Sequence, residues 1–323
     1  MMKIFNSLHN LTFNKMPLYR HLRNKRRFPG IAMDPSVQIN GLGEFRFDAN
    51  CSVNIGTHFI IPEKAMLKLG KECYVGRYVE LGPTNRIEIG DYTSLQDRCI
   101  FVGDVEIGRY CLFSLNILIS SGRHCFDKYP HLLIRDQDEM GISSEREGKV
   151  IIEDDCWIGV NSVIMPGVKI GKGSIIGANS VVTKDIPPYS IATGAPAAVI
   201  KKRLDFNPPH EIHYDRAVDY PYFYSGVEMS SSERIRTDEL KGLFTKKKFQ
   251  LALNLVHGKR IFLKIKSLAG NQTLRYQDET RSVGDNFTEI SFVLSANNLN
   301  MLNFDCLSEN INSRLILQKA WIE

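Results

Sequence analysis

Between Ile119 and Ile152 the chain runs SSGRHCFDKYPHLLIRDQDEMGISSEREGKVI, and these 32 residues hold the side chains best suited to chemistry. Among them are His124, Cys125, Asp127, His131, Arg135 and Asp136. Neutral imidazole titrates at about pH 6.5, so a histidine here can take a proton from a hydroxyl at neutral pH. Nothing in the sequence beside Cys125 marks a depressed thiol pKa, which argues against a covalent nucleophile. Farther on, Lys201, Lys202 and Arg203 form a short cationic run of the kind that meets phosphate oxygens. His210 and His213 have no third partner at ligand spacing, so no metal site is predicted.

The scaffold that must position these groups is a repeat. Apolar residues recur in steps of six at Ile55 and Ile61, at Leu69, Val75 and Leu81, and from Ile89 through Leu95, Phe101, Ile107 and Phe113 to Ile119. The series resumes at Ile152, Ile158, Ile164, Ile170, Ile176 and Val182. All seventeen positions are aliphatic or Phe; at the chain's own apolar frequency, chance would do this on the order of once in a million. A helix would show a period of 3.6 and a half-buried strand a period of two. Six suits a coil of three short strands with one large side chain per strand pointing inward. The steps of eight at 61→69 and 81→89 are predicted to be two-residue corner insertions.

Glycine often follows the aliphatic residue (Gly56, Gly70, Gly76, Gly82, Gly90, Gly108, Gly159, Gly171, Gly177), which predicts corners with unusual backbone angles. Five of the seven cysteines (Cys51, Cys73, Cys99, Cys111, Cys156) fall where other coils place Ser, Thr or Val, and are predicted to pack as small hydrophobes. Coils stacked about 4.8 Å apart would make a prism of six or so turns, about 30 Å long. The 32-residue excursion interrupts it, and a long irregular segment inside a regular scaffold is usually functional.

The segment IGVNSVIMPGVKIGKGSIIGANSVVTKDIPPYSIATGAPAAVIKKR resembles the hexapeptide-repeat acyltransferases. The resemblance covers about residues 35–205 and is densest over 150–203. It implies an all-β fold, a left-handed parallel β-helix, and acetyl-CoA as acyl donor. Matching ILISSGRH to the family's motif implies that His124 is the catalytic base. It implies donor contacts at Gly159, Ala178, Thr183, Lys184 and Lys201, and acceptor contacts at Gln96, Asn116, Asp127 and His131. Val160 stands where galactoside-type members often have Ser, and Gln96 about where they have an acceptor-binding Asn. A homotrimer with each donor site between two subunits is also implied.

Resemblance narrows the expected reaction to O-acetylation of a sugar in capsule, O-antigen or exopolysaccharide, or of its precursor. N-acetylation of a nucleotide-linked amino sugar is the nearest rival, and a non-catalytic glycan-binding scaffold is the alternative of another class. Metal-dependent β-helix carbonic anhydrases need three converging His, and His58, His124 and His131 lack the expected partner.

The chain has 323 residues and a net charge of 41 − 36 = +5, but residues 1–30 hold seven Lys/Arg and no acid, so the remainder carries 34 − 36 = −2. That distribution argues against a nucleic-acid-coating protein and for a basic arm. With Ile4, Phe5, Leu8 and Leu11 at helical spacing, residues 1–34 are predicted to cap the prism or to touch an anionic lipid surface. Without an apolar run of membrane length or a secretory signal, a cytoplasmic protein is expected. After Arg203 the repeat stops. Residues 206–323 are predicted to be a connector and a small antiparallel β-sandwich built on RIFLKIKS, EISFVLS, LNMLNFD and RLILQKAWIE, with Tyr276 and Trp321 as candidates for a sugar-stacking face.

Overall fold

The computed structural model describes residues 17–140, 148–228, 241–255, 260–294, 301–307 and 315–323. The chain divides into two compact units, Met1–Asp205 and Phe206–Glu323.

The first unit is a parallel β-helix of about eight turns. Each turn up to Val182 supplies one short strand to each of three sheets, so up to Val163–Ile164 each strand pairs with the third one on in sequence. The first face includes Ser94–Leu95, Leu112–Phe113, Trp157–Ile158 and Ile175–Ile176. The second includes Ile100–Val102, Leu118–Ser120, Val163–Ile164 and Val181–Val182, and the third Arg86–Ile89, Val105–Ile107, Val150–Ile152 and Lys169–Ile170. The register is unbroken by the excursion: Ile107 aligns with Ile152, and Phe113 with Ile158.

Sixteen of the seventeen repeat positions are buried in one continuous core. Ile55 is the exception. It lies at a corner, 42% exposed, and the inward residue of that coil is Val53. The turns exceed the six expected because residues before Ile55 and after Val182 coil as well.

Glycine's role also differs from the expectation. Gly56 adopts positive φ (71°) as expected, but Gly70, Gly90, Gly108 and Gly159 do not; elsewhere that conformation falls on other corner residues such as Tyr92, Tyr110, Asn116, Asp155 and Asn161. The glycines are required because the next coil lies directly against them. A Cβ on Gly108 would sit 2.5 Å from the Asp154 nitrogen, and one on Gly159 would sit 2.6 Å from the Ala178 nitrogen. The cysteine slot obeys the same geometry. Sγ of Cys51, Cys73, Cys99, Cys111 and Cys156 donates to the carbonyl of Gly70, Gly90, Ser114, Glu153 and Gly171 respectively. Thr57, Thr93 and Ser162 hydroxyls make the equivalent bond to Gly76, Gly108 and Gly177. Burial pushes the Cys99 thiol up to about 11 and raises Cys111 as well, so both stay protonated and unreactive.

Helix α1 (Pro17–Arg27) leads into the open end of the prism. Asn24 is buried and its side chain donates to the Val37 carbonyl, while Phe28 meets Phe45 and Phe47 edge-on. The described part of the arm therefore caps the first coil; Ile4, Phe5, Leu8 and Leu11 lie outside the described residues. At the other end, Ser190–Gly194 joins the first face and turns back in an antiparallel hairpin with Ala197–Lys202.

The second unit is a nine-stranded antiparallel network around its own core, which includes Phe249, Ile261, Leu263, Phe292 and Phe304. Its sheet curls: Glu279 and Val293, on strands at opposite ends of the order, are joined by a 3.1 Å bond from the Val293 N–H. Tyr276 is buried in this core and cannot stack a sugar. Trp321 is half-buried, stacked on Phe262 at 5.4 Å with the Lys319 ammonium 4.7 Å from its centroid, so its faces are already in use.

Coil stacking sets the cost of adding a methyl group at these glycines. Gly108→Ala should cost about 1–3 kcal/mol, because backbone rather than a flexible side chain blocks the new methyl. Gly122→Ala, where nothing lies within 4 Å, should stay within about 0.5 kcal/mol of wild type. Urea unfolding of the two variants checks this, and equal midpoints would refute it.

Candidate active site

Departures from the regular coil concentrate on one edge of the prism, between the second and third faces. The insertions at residues 62–64 and 83–85 lie there, and the excursion leaves after Ser120 and returns at Val150 on the same edge. Because the excursion leaves and returns at one corner, its base is pinned by the neighbouring coil. Ser121 N–H donates to the Val102 carbonyl, Ser121 Oγ accepts from Asp104 N–H at 2.7 Å, and Gly148 N–H donates to the Ser121 carbonyl.

Within the loop a buried glutamine takes the part of a core. Gln137 lies on α2 (Ile134–Glu139) and is fully buried. Its Oε1 accepts from the Tyr129 N–H at 3.1 Å and lies 3.6 Å from Cys125 Sγ, while its Nε2 donates to the Leu132 carbonyl. Cys125 is thereby buried as packing. The next residue on the helix, Asp138, reaches the other side of the same turn. Its Oδ1 accepts from the Cys125 N–H at 3.0 Å and its Oδ2 lies 2.5 Å from His124 Nδ1. The Cys125 N–H, then the imidazole beside it, hold the Asp138 carboxyl below the usual carboxylate range. With Nδ1–H donating to that carboxylate, the lone pair of the ring is left on Nε2. His124 is 82% exposed and borders an open groove of about 640 Å³, whose walls include Thr84, Asn85, Asp104, Arg123 and Lys149.

The other predicted site residues divide between two edges. Thr183 and Lys184 follow the second-face strand Val181–Val182, so they lie on the His124 edge two coils along, a separation of about 10 Å. Asp127 and His131 are exposed in the excursion; the Asp127 carboxylate is held by Arg123 at 2.7 Å, and His131 meets Tyr129 edge-on. Gln96, Asn116, Gly159 and Ala178 stand on a different edge, between the first and second faces. One chain therefore does not bring Gln96 and Asn116 to His124. Asn116 has a local explanation. With φ 58° it forms a corner, and its amide starts a side-chain ladder to Asn161 and on to Asn179. Gly159 is likewise accounted for by coil stacking. Lys201 is exposed on the terminal hairpin, whereas Arg203 is tied to Asp155 and the Gly173 carbonyl.

Asp138 was not singled out from sequence. Asp127, Asp136, Asp138 and Glu139 all lie within fifteen residues of His124, and only the fold of the loop selects among them. Among the described residues no three His, Cys, Asp or Glu side chains converge as a metal site would require, and no helix is long and apolar enough to cross a membrane.

A family model described as a hexapeptide repeat of succinyl-transferase matches residues 149–184. A galactoside O-acetyltransferase of Lactococcus lactis subsp. lactis (strain IL1403) is 32% identical over 146 residues, which is 44% of this chain and 66% of that protein. A probable macrolide acetyltransferase of Lysinibacillus sphaericus is 33% identical over 158 residues, 46% of this chain and 86% of that protein. A crystal structure of a hexapeptide-repeat containing acetyltransferase from Vibrio cholerae O1 biovar eltor, complexed with acetyl coenzyme A, is 30% identical, with 42% of this chain and 71% of that one covered and a TM-score of 0.31. The first three curated relatives are matched over only 35% to 66% of their own length. The chain belongs to the hexapeptide-repeat acetyltransferase family.

The Asp138 contact has a definite pH dependence. Its folded pKa lies below the unfolded one, so the contact adds stability above about pH 4 and loses it as pH falls through the lower, folded value. Hydrogen-exchange protection of the Cys125 amide should fall over that window in wild type. In Asp138→Asn it should be lower and flat with pH; a wild-type profile in the variant would rule the contact out.

Proposed function

We propose that the chain transfers an acetyl group from acetyl-CoA to a hydroxyl of a sugar in a cell-surface polysaccharide or its precursor. The observation that carries this reading is the His124–Asp138 pair at the mouth of an open groove, on the edge where the β-helix departs from its repeat. His124 Nε2 takes the proton of the acceptor hydroxyl as its oxygen attacks the thioester carbonyl. Carbon–oxygen bond formation gives a tetrahedral oxyanion stabilised by a backbone N–H, the carbon–sulfur bond breaks, and the imidazolium returns its proton to the departing thiolate. Asp138 holds the imidazole in the tautomer that leaves Nε2 free and offsets the positive charge formed during the step.

The donor is a substrate whose phosphates need cations. Lys184 and Lys201 supply them, both exposed and with no ion pair among the described residues. The division of family-matched positions between two edges supports a homotrimer in which the edge bearing Gly159 and Ala178 in one subunit faces the His124 edge of the next. The exposed Leu18 and Leu22 of α1, with Lys25, Arg26 and Arg27 in its last turn, suit peripheral contact with an anionic lipid-linked acceptor.

Purified protein given acetyl-CoA and paired hydroxyl and amino sugars, as free, nucleotide-linked and polymeric forms, should release thiol and form a base-labile ester. An exclusively amide product would overturn the acceptor class. His124→Ala should lower turnover by about 1000-fold with acetyl-CoA binding intact, and Asp138→Asn by about 10- to 100-fold. Full activity of His124→Ala would remove it from the mechanism.

A further inference from the structure

The second unit carries a polar groove of about 530 Å³ that the acyl-transfer chemistry does not use. Four strands place its walls. Lys248 and Gln250 alternate outward on Leu243–Ala252, Asn303 and Asp305 do so on Met301–Cys306, Arg275 projects from Gln272–Tyr276, and Ser225 borders the groove from the edge strand Ser225–Val227. Pairing register sets them side by side: Gln250 opposite Asn303, Lys248 opposite Asp305, Asp305 opposite Arg275, and Ser225 opposite Gln250. Beneath them Phe249 and Phe304 are stacked at 5.1 Å in the core, so the floor is rigid.

An outward sheet face is ordinarily polar, but this one is concave and its groups are held in place. Ser225 Oγ donates to Gln250 Oε1 at 2.8 Å, Gln250 Nε2 donates to Asn303 Oδ1 at 2.5 Å, and Arg275 forms an ion pair with Asp305 at 2.7 Å. These bonds occupy the Gln250 and Asn303 amide oxygens and leave amide donors over. Asn303 Nδ2 and the Lys248 ammonium have no partner among the described residues. With Arg275 balanced by Asp305, Lys248 leaves the groove one positive charge in excess. A row of amide and charged donors without an exposed aromatic platform suits a ligand rich in hydroxyl acceptors that also carries a carboxylate.

The geometry points to this groove as a binding site for an acidic saccharide, a uronate- or sialate-bearing glycan. It goes beyond the acetyl-transfer reading and does not require it, since the groove lies wholly within residues 206–323. In such a protein the module would retain a polymer while another part of the chain acts on it, and retention raises the local concentration of acceptor.

The test uses the full chain on an array of immobilised bacterial polysaccharides, acidic and neutral, with wild type, Lys248→Gln, the pair Gln250→Ala/Asn303→Ala, and His124→Ala. Wild type and His124→Ala should be retained on the same acidic glycans. Lys248→Gln and the double variant should lose retention by about tenfold or more at an unchanged melting temperature. Retention on neutral glycans only, on none, or equally by the groove variants would overturn the proposal. Acetylation of a short soluble acceptor by the groove variants should match wild type, so failure of the groove and failure of the transferase reading give different results.

Discussion

The β-helix depends on how closely one turn of backbone lies on the next. Stacked coils about 4.8 Å apart leave no space for a Cβ at the glycines that follow inward residues on the first and third faces, among them Gly70, Gly76, Gly90, Gly108, Gly159 and Gly171. Gly108 against Asp154 and Gly159 against Ala178 are two instances of that exclusion. The same approach presents corner carbonyls to the coil above, and Cys, Ser or Thr in the small slot donate to them. Inward residues then have one direction left, toward the axis, where Phe101, Phe113, Ile119, Ile158 and Ile164 fill a continuous core. The hydrophobic repeat, the glycines and the thiols are three consequences of one spacing.

A scaffold this constrained can tolerate irregularity only at its corners, where chain can leave and return without disturbing register. The structure concentrates such departures on the edge between the second and third faces. Residues 121–149 are spliced there between strands that align with the coils above and below as though nothing intervened. Because the loop cannot draw on the coil's own core, it builds a small internal one around Gln137, and that arrangement carries Asp138 to His124. The loop positions His124; the prism positions the loop.

Much of this was legible in the residues. A period of six over so many positions implies a three-sided coil, because no other regular structure repeats at that interval. His124 stands out as a candidate because it lies near the start of the one long break in that period. The role of Ile55 was misassigned because a corner isoleucine and an inward one look alike in a list of apolar residues; only the stacking direction tells them apart. Tyr276 was misassigned in the same way, since either face of an outer strand can be the buried one until its neighbours are known. Positive φ accounts for Gly56, but close approach of the next coil is the cause at most of the other glycines.

By itself the sequence determined the coil, most of its core positions, the place of the excursion and the resemblance of the 150–203 segment to the hexapeptide-repeat acyltransferases. The first three rest on local spacing, which a linear text records, and the last on resemblance to a known family. Only the tertiary structure decided which of several acids meets His124, that Gln96 and Asn116 stand on another edge of the same chain, and that six polar residues from four strands of the second unit share one groove. Those are relations between residues far apart or similar in kind, and the pairing of strands and the folding of a loop bring them together.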